Sequence, residues 1–372
     1  MVENTTIAPY KWVCYLHAKG RSATGWLTPQ EFPNVRMLGT VAHTIKSGKY
    51  DWPEIVVIPA AGNGKDPYIS PFSLTKVPIN HCQVPYEWLV NSQTQIDEST
   101  LYDFGALYVD EPLDWDLGGF VPTINKSDKF KATKSGYPAI TNARFNPEKL
   151  IHGDMYTESL NVTKYRDSEY ETDSKLGQGS SGSCLYAKNN DNYEAYAMTS
   201  SFNSYGAYAT RINDLVLSRF NNWKKRLSPD DVITKFQMVI RTGDILGAGT
   251  DANKHAVIDG KVYELEKLWV GGASFFRSRN ERGDYDGYNL TARINELYPN
   301  GAKVSDLLGK DYSINIEFST LGINLDIFFL SNENWFVESV AFFVNDQMLY
   351  AKNFNRWLQH QGDDVLTDTI NL

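Results

Sequence analysis

The stretch Gly177-Gln-Gly-Ser-Ser-Gly-Ser-Cys-Leu-Tyr carries the strongest chemical signal in the chain. Its small residues let a backbone turn sharply, so that one hydroxyl and several N–H groups converge. Ser181 would then be a nucleophile, with the amides of Gly179 and Ser181 aimed at the oxygen of a tetrahedral intermediate. A Gly/Ser-rich turn without chemistry is the plain alternative. A serine nucleophile needs a base, and the base needs an orienting acid. Among the six histidines, His43 stands in Leu38-Gly-Thr-Val-Ala-His-Thr-Ile, directly after an apolar stretch. Asp103 precedes the apolar run Phe104-Gly-Ala-Leu-Tyr-Val. What lifts these residues above a structural reading is the order His43, Asp103, Ser181, each at the edge of a predicted strand. Asp97 and Asp110 are weaker candidates for the acid, because neither precedes so regular an apolar strand.

The elements that must hold these residues are mainly short strands. Lys11 to His17, Glu54 to Ile58, Phe104 to Val109 and Glu194 to Thr199 are rich in β-branched or aromatic residues and bounded by turn formers. Such spacing predicts a barrel or a sandwich. From Asn213 the period becomes helical: Leu215, Val216, Phe220 and Trp223 share a face, Asn213-Asp214 form a cap, and Lys224-Lys225-Arg226 fill the last turn. Ser228-Pro229 stops that helix, and Pro229-Asp230-Asp231 reads as a linker. Strand patterns resume in Phe236 to Ile240, Tyr312 to Phe318, Leu325 to Phe329 and Trp335 to Val344, as in a sandwich with one wet face per sheet.

Ser22-Ala-Thr-Gly-Trp-Leu, Gly39-Thr-Val-Ala-His, Asp103-Phe-Gly-Ala-Leu and Gly179-Ser-Ser-Gly-Ser together resemble the trypsin-like (chymotrypsin-fold) serine proteases, over about residues 10 to 227. The Ser-Gly-Ser ending is similar to the bacterial glutamyl-endopeptidase branch. Ala197-Met-Thr-Ser-Ser, and Gly206-Ala-Tyr-Ala-Thr-Arg-Ile before the helix, are similar to the substrate-binding strand and C-terminal end of that fold. The resemblance implies a double β-barrel with the active site in its cleft. It implies His43 as general acid/base, Asp103 as the group holding its tautomer, and Ser181 as the residue attacking a scissile carbonyl, with peptide or protein as substrate. It also puts Lys175 and Leu176 near the primary pocket, and Thr199, Ser200 and Ser201, as far as Phe202, on the opposite wall. A lysine there would favour an acidic side chain before the cut; a surface lysine is the competing reading. The chain departs from the family at Ser180, where most relatives carry Asp or Asn, and at Cys184, where Pro is common. It also lacks an Ile-Val-Gly-Gly activation sequence.

Farther on, Val239-Ile-Arg-Thr-Gly-Asp-Ile-Leu-Gly-Ala-Gly-Thr-Asp-Ala-Asn is a strand followed by a Gly-rich loop holding Asp244, Thr250, Asp251 and Asn253. Oxygen donors on a tight loop suit Ca²⁺, although such loops commonly only turn. The string is similar to the start of a PLAT/LH2 domain, a β-sandwich of lipoxygenases and several lipases. The similarity continues through Gly283-Asp-Tyr-Asp-Gly-Tyr-Asn-Leu, Trp335-Phe-Val-Glu-Ser-Val and Phe354-Asn-Arg-Trp-Leu. It implies attachment to a membrane or a protein partner. Asp251, Asn253 and Asp284 would be calcium ligands, with a carbonyl from Thr250. Trp269, Phe275 and Phe276 would either enter a lipid interface or fill the core. The expected architecture is therefore all-β: a chymotrypsin-like double barrel with a C-terminal helix over residues 1–227, a linker over 228–234, and a PLAT/LH2 sandwich over 235–372.

Composition narrows the functions. The 372 residues carry a formal charge of −9, and residues 228–372 hold 21 Asp and Glu against 13 Lys and Arg, a net of −8, leaving −1 on residues 1–227. An acidic half argues against nucleic acid and against plain adhesion to anionic lipid. No apolar run reaches the length of a spanning helix. The first residues have neither the basic start nor the apolar stretch of a signal peptide. Three cysteines make no disulfide framework: reduced, buried thiols of a cytosolic protein are expected, with a Cys14–Cys82 bridge and secretion as the alternative. A lipid hydrolase is disfavoured because the Gly-x-Ser-x-Gly elbow is absent. An inactive protease-fold scaffold remains the other alternative to an endopeptidase.

Overall fold

The computed structural model describes residues 1–18, 21–29, 35–46, 53–62, 72, 74–91, 100–110, 118–139, 153–202, 206–244, 253–265, 285–317, 334–358 and 365–371. These form two compact units, one of Met1–Trp88 with Thr94–Arg226, the other of Leu89–Gln93 with Leu227–Leu372.

The first unit is built on two sheets. Strands β1 (Val13–Ala18), β2 (Arg21–Leu27), β3 (Val35–Thr40), β4 (Ile55–Pro59), β5 (Thr75–Val77), β6 (Cys82–Gln83) and β7 (Gly105–Asp110) pair antiparallel in the order β5-β4-β1-β2-β3-β7-β6. Helices α1 (Ala42–Ile45) and α2 (Tyr86–Asn91) follow β3 and β6. The second sheet contains β8 (Val121–Pro122), β9 (Lys129–Gly136), β10 (Tyr156–Lys164), β11 (Glu169–Thr172), β12 (Cys184–Asn189), β13 (Asn192–Phe202) and β14 (Ala207–Arg211). Its order is β12-β9-β10-β11-β14-β13-β8, and β12 also pairs with β13, so that this sheet closes into a barrel with β8 parallel to β13 at its rim. Closure removes the open edges a sheet would otherwise present.

Helix α3 (Asp214–Lys225) follows β14. The Asn213 side chain caps it by accepting from Val216 N–H at 3.0 Å, and Lys224 and Lys225 lie in its last turn. It buries Val216, Phe220 and Trp223. Phe220 stands 6.0 Å from Trp26, and Trp223 stands 5.6 Å from Phe104, ring centre to ring centre. This aromatic contact fixes Phe104, the residue next to Asp103.

The second unit contains two four-stranded antiparallel sheets. One has β15 (Phe236–Thr242), β18 (Tyr285–Asn289), β20 (Trp335–Val344) and β21 (Gln347–Leu358); the other has β16 (Asn253–Ile258), β17 (Lys261–Glu264), β19 (Asp311–Glu317) and β22 (Leu366–Thr369). Phe236, Met238, Ile240, Val340 and Phe342 from the first share one core with Ala256, Ile258, Tyr312 and Ile314 from the second. Helix α4 (Thr291–Leu297) follows β18. Residues 228–233 are built into this unit rather than spanning freely: Ile233 is buried in the core, Ile233 N–H donates to Ala302, and Val304 and Ser305 N–H donate to Asp231 and Pro229. A wet outer face was expected of each sheet, yet β15 is buried along both faces. Its outward Arg241 pairs with Glu338 through Nη1 and stacks on Tyr285, which is what lets a charge be covered.

All three cysteines are free and buried, with no Cys14–Cys82 bridge, and burial pushes each thiol up. Among the described residues no helix is long and apolar enough to cross a membrane.

The Arg241–Glu338 pair yields a stability test. Arg241→Met strands a buried carboxylate and should cost about 3–5 kcal/mol, whereas adding Glu338→Leu should recover most of the loss. Denaturant unfolding of the full chain, followed through the transition of this unit, measures both; a harmless single substitution would show that the pair is not needed.

Candidate active site

His43 lies in the single turn α1, entered directly from β3, and Asp103 lies just before β7, the neighbour of β3. This adjacency brings them together across a sequence separation of 60 residues. Asp103 holds His43 twice: Oδ1 accepts the His43 backbone N–H at 3.0 Å, and Oδ2 faces Nδ1 at 2.9 Å. An ionised carboxylate only accepts, so Nδ1 carries the ring proton and Nε2 is left as an acceptor. The Asp103 side chain is 4% exposed and that of His43 33% exposed. Ser200 Oγ donates to the same Oδ2, and Thr210 Oγ1 donates to the Asp103 backbone carbonyl at 3.1 Å. Ser200 belongs to β13 and Thr210 to β14, so the carboxylate of one sheet is tied to the other.

Electrostatics follow from this arrangement. Burial opposes charge on His43, but the Asp103 carboxylate and its hydrogen bond outweigh burial and the nearby Arg21, and the imidazole pKa stands above its ordinary 6.5. Burial likewise opposes charge on Asp103, and the His43 charge, the His43 bonds and the Ser200 hydroxyl together hold its pKa below the ordinary 3.8.

Ser181 is held by backbone bonds between the strands that flank this pair. Its carbonyl accepts Thr24 N–H from β2 at 2.8 Å, and Gly182 N–H donates to Thr199 at 2.7 Å, one residue before Ser200. Gly182 has φ +85°, and a Cβ there would lie 2.1 Å from the Thr24 carbonyl oxygen and 2.2 Å from Thr40 Oγ1. Thr40 is three residues before His43, so the loop is wedged against the strand end that leads into α1. Gly179 has φ +91°, its carbonyl accepts Thr24 Oγ1 at 3.3 Å, and a Cβ there would meet Ala139 N at 2.6 Å. Ser180 N–H donates to Gly177 and Ser183 N–H to Ser180, whereas the N–H groups of Gly179 and Ser181 have no acceptor among the described residues. Two backbone donors flanking a half-buried serine are suited to stabilising an oxyanion. No hydrogen bond reaches Ser181 Oγ among the described residues.

The other candidates fall as follows. Leu176, Thr199 and Ser200 are buried, and Lys175 and Ser201 are exposed. Lys175 N–H donates to Glu158 at 3.0 Å. The Thr199 hydroxyl is buried without a hydrogen-bond partner among the described residues. Asp97, Thr250, Asp251, Asp284, Trp269, Phe275 and Phe276 lie outside the described residues, and Asp110 and Asn253 are described only as backbone, in β7 and β16. Among the described residues no cluster of His, Cys, Asp and Glu could hold a metal ion.

Sequence reasoning missed the threonines: Thr24, Thr40 and Thr210 are ordinary strand residues until the fold aims them at the loop. It also missed Lys134, wholly buried beneath Leu176, where Nζ donates to Ser174 Oγ at 2.7 Å and to the Leu176 carbonyl at 3.0 Å. A signal existed: in an alternating strand Lys134 shares a face with Phe130 and Ala132, both packed in the barrel core.

No family model matches the chain, and no curated protein sequence matches it. Among solved structures the chain is similar to a Glu endopeptidase determined in complex with MPD, at 19% identity and TM-score 0.47, covering 60% of this chain and 95% of that one. It is similar to the protease Anisep from Arthrobacter nicotinovorans at 17% identity and TM-score 0.44, over 58% and 96% of the two chains. A thermostable serine protease from an extremophilic microorganism gives 11% identity and TM-score 0.43, over 58% and 97%.

The His43 pKa should be read by NMR titration. It should lie above 6.5 and fall below it in Asp103→Asn, where burial and Arg21 act unopposed. Because the folded His43 pKa is raised, its contribution to stability is complete below pH 6.5 and is lost as pH rises through the folded value. For Asp103 the contribution is present above pH 3.8 and is lost as pH falls through its lowered folded value. An unchanged His43 titration in Asp103→Asn would show that the carboxylate does not set it.

Proposed function

We propose that the chain is a serine endopeptidase: Ser181 attacks the carbonyl carbon of a peptide bond, and His43 Nε2 takes the hydroxyl proton. Asp103 keeps Nδ1–H directed inward and stabilises the imidazolium that forms. The carbonyl oxygen, now an oxyanion, is met by the N–H groups of Gly179 and Ser181. His43 then returns the proton to the leaving amine, and water releases the acyl group by the same route reversed. The observation that carries this reading is the doubly held His43: one buried carboxylate orients both its backbone and its ring, leaving Nε2 as the acceptor.

A non-catalytic binder is favoured by one observation, the absence of a hydrogen bond to Ser181 Oγ among the described residues. Such bonds are commonly long before substrate binds, so it weighs less than the His43–Asp103 geometry. For the second unit we propose a PLAT-like attachment module. Its net charge of −8 over residues 228–372 suits calcium or a protein surface better than bare anionic lipid. Thr250, Asp251, Asn253 and Asp284 are the proposed calcium ligands, and no step of the chemistry above passes through the metal.

A fluorophosphonate probe should label Ser181, with labelling lost in His43→Ala, and Asp103→Asn should lower kcat by about 10⁴-fold. Absence of labelling at every pH and calcium level would remove the catalytic claim. Calorimetry should show calcium binding that Asp251→Ala abolishes; no heat in the unsubstituted protein would remove the metal site.

A further inference from the structure

A lysine is a costly way to fill a barrel, since Ala or Met would occupy the space without desolvating a charge. Lys134 nonetheless projects inward from β9 with no exposed surface. Its ammonium spends its donors on the short segment ahead of the nucleophile loop, on Ser174 Oγ and the Leu176 carbonyl, and lies 3.5 Å from Glu158 Oε1. Glu158 completes the tie from β10, accepting from Ser174 Oγ and from Lys175 N–H. The Leu176 carbonyl also receives the Ser180 hydroxyl at 3.1 Å, a proton shared with Gly177 at 2.6 Å. One chain of hydrogen bonds therefore runs from a buried cation to the residue between Gly179 and Ser181.

We propose that Lys134 is a positioning residue for the oxyanion-binding loop, holding the Leu176 carbonyl so that Ser180 keeps the Gly179 and Ser181 N–H groups available to the developing charge. The proposal rests on the reading of Ser181 as a nucleophile. It also gives Ser180 a role suited to its type: a hydroxyl can bridge two carbonyls, which a carboxylate cannot.

The device is sensitive to pH. Burial lowers the Lys134 pKa to about 8, against the raising effect of Glu158. From β10 the facing charged group is Glu158; from β12 Leu185 stands opposite, and the neighbouring Tyr186 hydroxyl is engaged with Ser135. From β11 Tyr170 is turned to the Asn125 carbonyl. When Lys134 loses its proton, the charge-assisted hold on Leu176 is lost, so acylation should fall on the alkaline side.

The test is the second-order rate of Ser181 phosphonylation by a fluorophosphonate, with kcat and KM for an activated ester, across the pH range of both His43 and Lys134. Wild type should fall on the alkaline side with a midpoint at about 8. Lys134→Met should lower the rate about 100-fold, in kcat rather than KM, as loss of an oxyanion donor does, and should show no alkaline fall. Glu158→Gln removes the charge that raises the Lys134 pKa, so its midpoint should move to lower pH. Should Lys134→Met fail to fold, the wild-type and Glu158→Gln profiles decide. An unmoved midpoint in Glu158→Gln, or Lys134→Met reacting at the wild-type rate, overturns the proposal while leaving the nucleophile in place. A wild-type protein that never reacts overturns the nucleophile reading and this proposal together.

Discussion

A carboxylate withdrawn from water must find donors, and in the first unit the buried Asp103 finds them in two sheets. His43 supplies a backbone N–H and a ring N–H from the turn after β3, and Ser200 supplies a hydroxyl from β13. Removing a partner would leave an unsatisfied charge at a cost of several kcal/mol, so the two sheets are constrained to meet where Asp103 is. The aromatic contact of α3 with Phe104 fixes the chain beside that carboxylate. What orients the His43 imidazole is thus also what aligns the unit.

The loop that carries Ser181 obeys a different constraint, steric rather than ionic. Left-handed backbone at Gly179 and Gly182, with no room for a Cβ at either, lets Ser181 sit between Thr24 and Thr199 while its N–H and that of Gly179 meet no acceptor among the described residues. A loop held by glycines alone would be loose. Here Ser180 and the buried Lys134 give it fixed hydrogen-bond partners from within the closed barrel.

Much of this was legible because it depends on local sequence. The helical face of Val216, Phe220 and Trp223, the Asn213 cap and the strands at Ile55–Pro59, Gly105–Asp110 and Trp335–Val344 follow from period and composition, and the structure forms them. His43, Asp103 and Ser181 could be singled out by type, order and glycine setting. Thr24 and Thr210 could not, and Ser200, placed by resemblance on the pocket wall, donates instead to Asp103; all three meet these residues only through pairings separated by roughly a hundred residues or more. Lys175, placed near the pocket by resemblance, stands exposed, and the lysine beneath that segment is Lys134, from a strand forty residues earlier. In the second unit, alternation anticipated the core face of β15 but not its buried outer face, since nothing local announces that Arg241 will find Glu338.

Under the proposed chemistry, the donors of one loop and the imidazole held by Asp103 converge on Ser181. A crystal structure of the protein phosphonylated by a fluorophosphonate tests this most directly. Phosphorus should be bonded to Ser181 Oγ, its oxygen within hydrogen-bond distance of both Gly179 and Ser181 N–H, and His43 should still be held by Asp103 with Nε2 turned to the adduct. An adduct on another residue, or a phosphonyl oxygen pointing away from both amides, would contradict it.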